Sequence, residues 1–223
     1  MARGKGRSPE GRIQLIDALR GLCIILMLAY HFAVDLVMFG FIPKHIVYNK
    51  LLDTLVVVFA GTFLVLAGVS CRLSRSNLKR GLVCAVCALG VTGISVAMGQ
   101  PIYFGILHLM AACMLLFWLL DKLGLVVPLA LLGAFLALYY GWSWWPQVPS
   151  ADYFPLLPWG YLFFLGTVLG KPIAEHRWPQ GFYSARVPLL PAVGRKTLII
   201  YLLHQPVFWG IMMAAEYIKG RVR

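Results

Sequence analysis

RIQLIDALRGLCIILMLAYHFAVDLVMFGF, residues 12–41, decides the class of this protein. It opens with Arg12, Asp17 and Arg20 and then runs apolar for about the thickness of a bilayer. Inside that apolar run stand His31 and Asp35. A charged side chain at mid-membrane costs about 2.5–3.5 kcal/mol on the insertion scale, and a neutral His costs less. A chain retains such groups where they do something. His31 and Asp35 are four residues apart and share a helix face. Arg20 lies three turns earlier on nearly the same face. One stripe therefore carries an Arg at one membrane surface and a His–Asp pair deep in the bilayer.

The rest of the chain reads as the wall around that stripe. Of 223 residues, 61% are hydrophobic and 13% charged, against about 25% charged in soluble domains. The fold class is an all-α integral membrane protein, a single bundle of about seven transmembrane helices. Predicted spans are 14–40, 51–71, 81–98, 102–120, 125–140, 158–170 and 196–217. Residues 1–12 form a basic tail, 13–218 the bundle and 219–223 a C-terminal tail. The segment 171–196 is polar and Pro-rich, and Gly99-Gln-Pro101 makes a tight turn. No small-residue cleavage site follows the first basic residues, and no signal peptide is expected.

The net charge of +12 is explained by topology rather than by nucleic acid. With the N-terminus inside, fifteen of the twenty Lys and Arg fall on the inner face; Lys44, Lys50, Lys219, Arg221 and Arg223 fall outside. That asymmetry predicts a cytoplasmic N-terminus. Part of the inner charge meets anionic lipid. The five Cys lie in or beside apolar segments, without the pattern of a disulfide scaffold. Cys84-x-x-Cys87 reads as small-residue helix packing.

Helical spacing puts His31, Asp35, His108 and His204 at overlapping depths on three helices. Any one of them could be a packing hydrogen bond, worth about 0.6 kcal/mol. Four together point to a shared polar cavity. Three His and an Asp could bind zinc, but no spacing specifies it and no metal is expected. Trp145, Tyr153 and Trp159 belong to an aromatic belt in which Asp152 also stands. Flat aromatic faces beside a carboxylate suit sugar rings, so these four are candidate substrate-binding residues. His45, in the loop after the first span, is on the same outer side.

Four stretches carry a resemblance: residues 12–40, FGILHLMAACMLL (104–116), ADYFPLLPWGYLFFLG (151–166) and GRKTLIIYLLHQPV (194–207). In this order they resemble the heparan-alpha-glucosaminide N-acetyltransferase catalytic-domain-like family of bacterial membrane proteins, within the wider transmembrane acyltransferases. The resemblance implies acetyl transfer from acetyl-CoA to an amino sugar or other saccharide at or across the membrane. It also implies a bacterial or archaeal cytoplasmic membrane. His31, Asp35, His108 and His204 match the family's recurring polar positions. In the lysosomal members the residue at the place of His31 is not His, and their catalytic His lies in the following loop, where this chain has Lys44-His45. The base is therefore His31 or His45. His31 held by Asp35 offers a base in one tautomer, a His could carry the acetyl group covalently, and His108 or His204 could donate to an oxyanion. Arg20, Arg72, Arg75, Lys79, Arg80, Arg195 and Lys196 are candidates for the CoA phosphates. The competing readings are a transporter using the same polar cavity, against which no inverted repeat is visible, and a non-catalytic membrane module. The oligomeric state, a homodimer included, stays open at this point.

Overall fold

The computed structural model describes residues 12–140 and 152–220. Among them the architecture is helical throughout, as the hydropathy runs require. The long elements are α1 (Gln14–Met38), α2 (Lys50–Arg72), α3 (Asn77–Ala97), α4 (Ile106–Leu120), α5 (Val126–Tyr140), α6 (Leu156–Ala174) and, after two short helices, α9 (Thr197–Ile218). Five of these, α1, α2, α3, α6 and α9, are long and apolar enough to cross a membrane, and α4 and α5 are shorter apolar helices. Their outward faces are apolar: Val86, Leu89, Leu131 and Leu138 are all exposed, as a lipid environment demands.

Helix ends follow local chemistry. Asn49 caps α2 by accepting the Leu52 N–H at 3.1 Å. Gly99 stands at φ +72 just past α3, a conformation that L side chains resist, so the chain turns there as the Gly99-Gln-Pro101 signal predicts. The expected start of the fourth span at residue 102 moves inward, to Ile106. Pro101 lacks an N–H, and the chain through Phe104 is extended, bridging Tyr153 in parallel with Phe154 N–H donating to the Phe104 carbonyl at 2.9 Å. Fifteen-residue α4 reaches about 22 Å, short of a ~30 Å hydrocarbon core. The extended Phe104–Tyr153 pair lies just before the helix start, and the bond between the Phe154 N–H and the Phe104 carbonyl leaves those two backbone groups satisfied.

Small residues set the tightest contacts. A Cβ on Gly68 would lie 2.0 Å from the Phe163 carbonyl oxygen, and one on Gly166 2.0 Å from that of Val65. The α2 and α6 backbones therefore touch, the usual solution where lipid offers no hydrophobic drive between helices. Phe163, Leu64, Leu109 and Cys113 are fully buried where α2, α4 and α6 meet.

The polar segment 171–196 is more ordered than its composition suggests. It contains α7 (Gln180–Ser184) and α8 (Leu190–Gly194). α8 lies against the first turns of α1: a Cβ on Gly194 would be 1.7 Å from the Asp17 carbonyl oxygen, and one on Gly21 2.3 Å from that of Leu190. This contact seats Arg195 and Thr197 beside Arg20, whose guanidinium donates to the Thr197 hydroxyl at 2.9 Å. Gly194→Ala is expected to push α8 off α1 at a cost of about 1–3 kcal/mol. The melting temperature of the detergent-solubilised protein would fall by several degrees, whereas Gly210→Ala, with open space around it, should leave it unchanged.

Candidate functional site

The site is a cavity of about 680 Å³ at the end of the bundle where α1, α3 and α9 begin and α2 ends. Arg12, Arg20, Lys79, Arg80 and Arg195 line it, with Asp17 the one acidic group among its lining residues. Asp17 meets Arg12 at 3.2 Å and Arg20 at 3.9 Å. Arg80 donates to the Ser70 carbonyl at 3.3 Å, and Arg20 Nε is buried without a hydrogen-bond partner. A surplus of cation in a partly enclosed space, with an unspent guanidinium donor, fits an anion such as a phosphate.

The walls deeper in are apolar. Leu107, Met110 and Met114 come from one face of α4, with Phe63, Val83, Cys84 and Leu198 opposite. Ile106 and Tyr201 also line the cavity. Both hold Asp152: its Oδ2 accepts the Ile106 N–H at 3.1 Å and the Tyr201 hydroxyl at 3.5 Å. Asp152 is thus an anionic cap at the N-terminus of α4, where the helix dipole favours negative charge, although Gly105 offers no side chain of its own. Gly105 is required there, since a Cβ would sit 2.4 Å from Asp152 Oδ2. Asp152 lies in the connection before α6. Burial pushes its carboxyl up to about 6, and the bonds from Ile106 and Tyr201 pull it back.

Tyr201 leads outward to the histidines. His204 Nδ1 is bonded to the Tyr201 carbonyl. A carbonyl only accepts, so Nδ1 carries the proton and Nε2 of the neutral ring holds a lone pair. Nε2 is buried and unpartnered. The His204 ring lies 5.4 Å from that of Tyr201 and 5.1 Å, edge-on, from that of His31. His108 is fixed in the opposite sense. Thr92 gives its hydroxyl proton to the Ile102 carbonyl at 2.7 Å, so it accepts from His108 Nε2–H at 3.0 Å. His108 Nδ1 is then the lone-pair atom, also buried and unpartnered.

Asp35 does not orient His31. Its buried carboxylate takes both bonds from Gln205 Nε2, at 2.9 and 3.2 Å. Their shared helix face is real, but α9 packs against it and supplies a better-placed donor. Gln205 Oε1 remains buried and unpartnered. His45 stands exposed in a short 3-10 turn, Lys44–Ile46, outside the cavity.

The cationic candidates divide. Arg20, Lys79, Arg80 and Arg195 line the cavity, while exposed Arg75 and Lys196 flank it without lining it. Arg72 is occupied elsewhere. It pairs with Asp121 at 2.7 Å, donates to the Thr167 carbonyl at 3.2 Å and lies 4.9 Å over the Phe117 ring, which ties α2 to α4 and α6. Tyr153 sits in the extended bridge, and Trp159 packs on Phe154 at 4.7 Å. Trp145 lies outside the described residues. The sequence reading gave no role to Tyr201, Gln205, Thr92 or Asp17. The signal for the first two was available: both are polar residues in an apolar helix, Tyr201 three residues before His204 and Gln205 next to it, four residues from Tyr201.

Among the described residues no group of three or more His, Cys, Asp or Glu is placed to hold a metal ion. No curated protein and no solved structure matches the chain. The family model for heparan-alpha-glucosaminide N-acetyltransferase, catalytic, matches residues 12–206. That span takes in the basic cavity, Tyr201 and all of His31, Asp35, His108, His204 and Gln205, and the chain belongs to this family.

Proposed function

We propose that this membrane protein takes acetyl-CoA as donor in the basic cavity and transfers its acetyl group to the amine of an amino sugar or to another saccharide acceptor. The observation that carries the reading is the cavity's polarity gradient. Arg20, Lys79, Arg80 and Arg195 gather around its lining, apolar α4 residues form its wall, and Tyr201 borders it next to the buried lone pair of His204. A CoA molecule has the same gradient: phosphates at one end, a slender pantetheine arm, a thioester at the tip. A volume of about 680 Å³ is within the range of small-molecule sites. The basic end would face the cytoplasm, where acetyl-CoA is made, in agreement with the charge bias of the loops.

In this reading His204 Nε2 is the general base, because its tautomer is fixed by the Tyr201 carbonyl. It removes a proton from the acceptor as the acceptor attacks the thioester carbon. That proton then goes to the departing CoA sulfur, so the products are acetylated acceptor and free thiol. His31, edge-on to His204, positions the base. Asp152, bonded to the cavity-lining Ile106 and Tyr201, and its neighbour Tyr153 would meet the acceptor.

Purified protein in nanodiscs, given radiolabelled acetyl-CoA and a panel of amino sugars and neutral sugars, is expected to yield an acetylated sugar and free CoA. CoA is also expected to raise the melting temperature by mass action on the folded state. Neither product nor a shift at millimolar CoA would remove acetyl-CoA as the donor.

A further inference from the structure

Among the described residues Tyr201 joins the cavity to Asp152 and His204. It lines the cavity, its hydroxyl reaches Asp152 Oδ2 at 3.5 Å, and its ring and carbonyl both contact His204. The bond to Asp152 is at the long limit for an O–H donor, whose usual distance is about 2.7–2.8 Å. Little is lost when that hydroxyl turns into the cavity. An oxyanion arriving there at the usual distance would receive a stronger bond than the long one to Asp152 at 3.5 Å. Such a donor, weakly engaged at rest and strongly engaged only when charge develops, stabilises a transition state more than a ground state.

We infer that Tyr201 is a catalytic residue, whose hydroxyl donates to the thioester oxygen as it becomes an oxyanion. The inference rests on the acetyl-CoA reading above. As the acceptor nitrogen bonds to the thioester carbon, the carbonyl π pair moves onto oxygen, and the Tyr201 O–H swings from Asp152 to that oxygen. When the C=O re-forms, the C–S bond breaks, sulfur leaves with the electron pair, and Tyr201 returns to Asp152. Tyr201 keeps its proton throughout. The proton balance is carried by His204, from acceptor nitrogen to sulfur. Asp152 parks the hydroxyl between turnovers and is a positioning residue.

Tyr201→Phe removes the hydroxyl alone and leaves the backbone carbonyl that fixes His204. It is expected to lower kcat about 10²–10³-fold, the loss typical of one oxyanion donor, with CoA affinity by calorimetry within twofold of wild type. A second variant replaces Tyr201 with a ring-fluorinated tyrosine of the same shape. Fluorination acidifies the phenol, so the alkaline limb of the kcat–pH profile is expected to move to lower pH with each added fluorine. A structural role would not move that limb. Tyr201→Phe that binds CoA and turns over within threefold of wild type would overturn the inference, as would a pH limb insensitive to fluorination. Failure of the wild type itself to bind CoA would instead remove the donor reading on which the inference stands.

Discussion

His204→Gln is expected to lower acetyl transfer by about 10²–10⁴-fold, the contribution of a positioned general base. The glutamine amide can still donate to the Tyr201 carbonyl, so the α9 backbone and the Tyr201 ring keep their places while the basic lone pair is lost. CoA affinity should stay near wild type, because the cations around the cavity, Lys79, Arg80 and Arg195 among them, are untouched. His31→Asn should cost less, since His31 acts through His204 at 5.1 Å. The double variant should be little worse than His204→Gln alone, because residues that act as a unit are not additive. Single-turnover rates with bound acetyl-CoA separate these cases from binding defects. A His204→Gln enzyme with near-normal turnover, beside a dead His108→Gln, would move the base to α4.

The second large effect concerns charge. Replacing Lys79, Arg80 and Arg195 together with Gln is expected to weaken CoA binding about 10²–10³-fold, roughly 3–4 kcal/mol, from three lost phosphate contacts each worth about a kcal/mol or more. Arg72→Gln is the contrasting case. It breaks the tie to Asp121, Thr167 and Phe117, so it should lower the melting temperature by a few degrees and leave CoA affinity unchanged. Calorimetry with CoA and thermal unfolding, run on both variants, read the two outcomes directly. Lost CoA binding in Arg72→Gln and intact binding in the triple variant would place the phosphates elsewhere.

How the fold was legible follows from what the sequence encodes at short range. Apolar runs bounded by charge located all seven long helices, because insertion energy depends on a local sum over residues. The start of α4 was missed since its boundary is set by a non-local pairing, Phe104 with Tyr153. α8 was missed for the same kind of reason. Its five residues gain order from the Gly194–Asp17 and Gly21–Leu190 approach, which no local pattern records. At the site, spacing correctly placed His31 and Asp35 on one helix face. It could not say which helix packs there, and Gln205 of α9 takes the carboxylate. Charge counting likewise gathered Arg72 with Arg80, although only Arg80 turns toward the cavity. Asp152 among aromatic residues reads as a candidate substrate-binding carboxylate, and its place as a cap for α4 depends on a contact 46 residues away in sequence.

The central claim is that the donor lies in the basic cavity with its thioester at Tyr201. A CoA thioester carrying a photoreactive acyl group, irradiated with the protein in nanodiscs and mapped by peptide mass spectrometry, tests it most directly. The account predicts label on the cavity faces of α4 and α9, at Ile106–Met114 and Leu198–Tyr201, and its loss when unlabelled CoA competes. Competable label confined to the opposite end of the bundle, around His45 and Lys50, would contradict it.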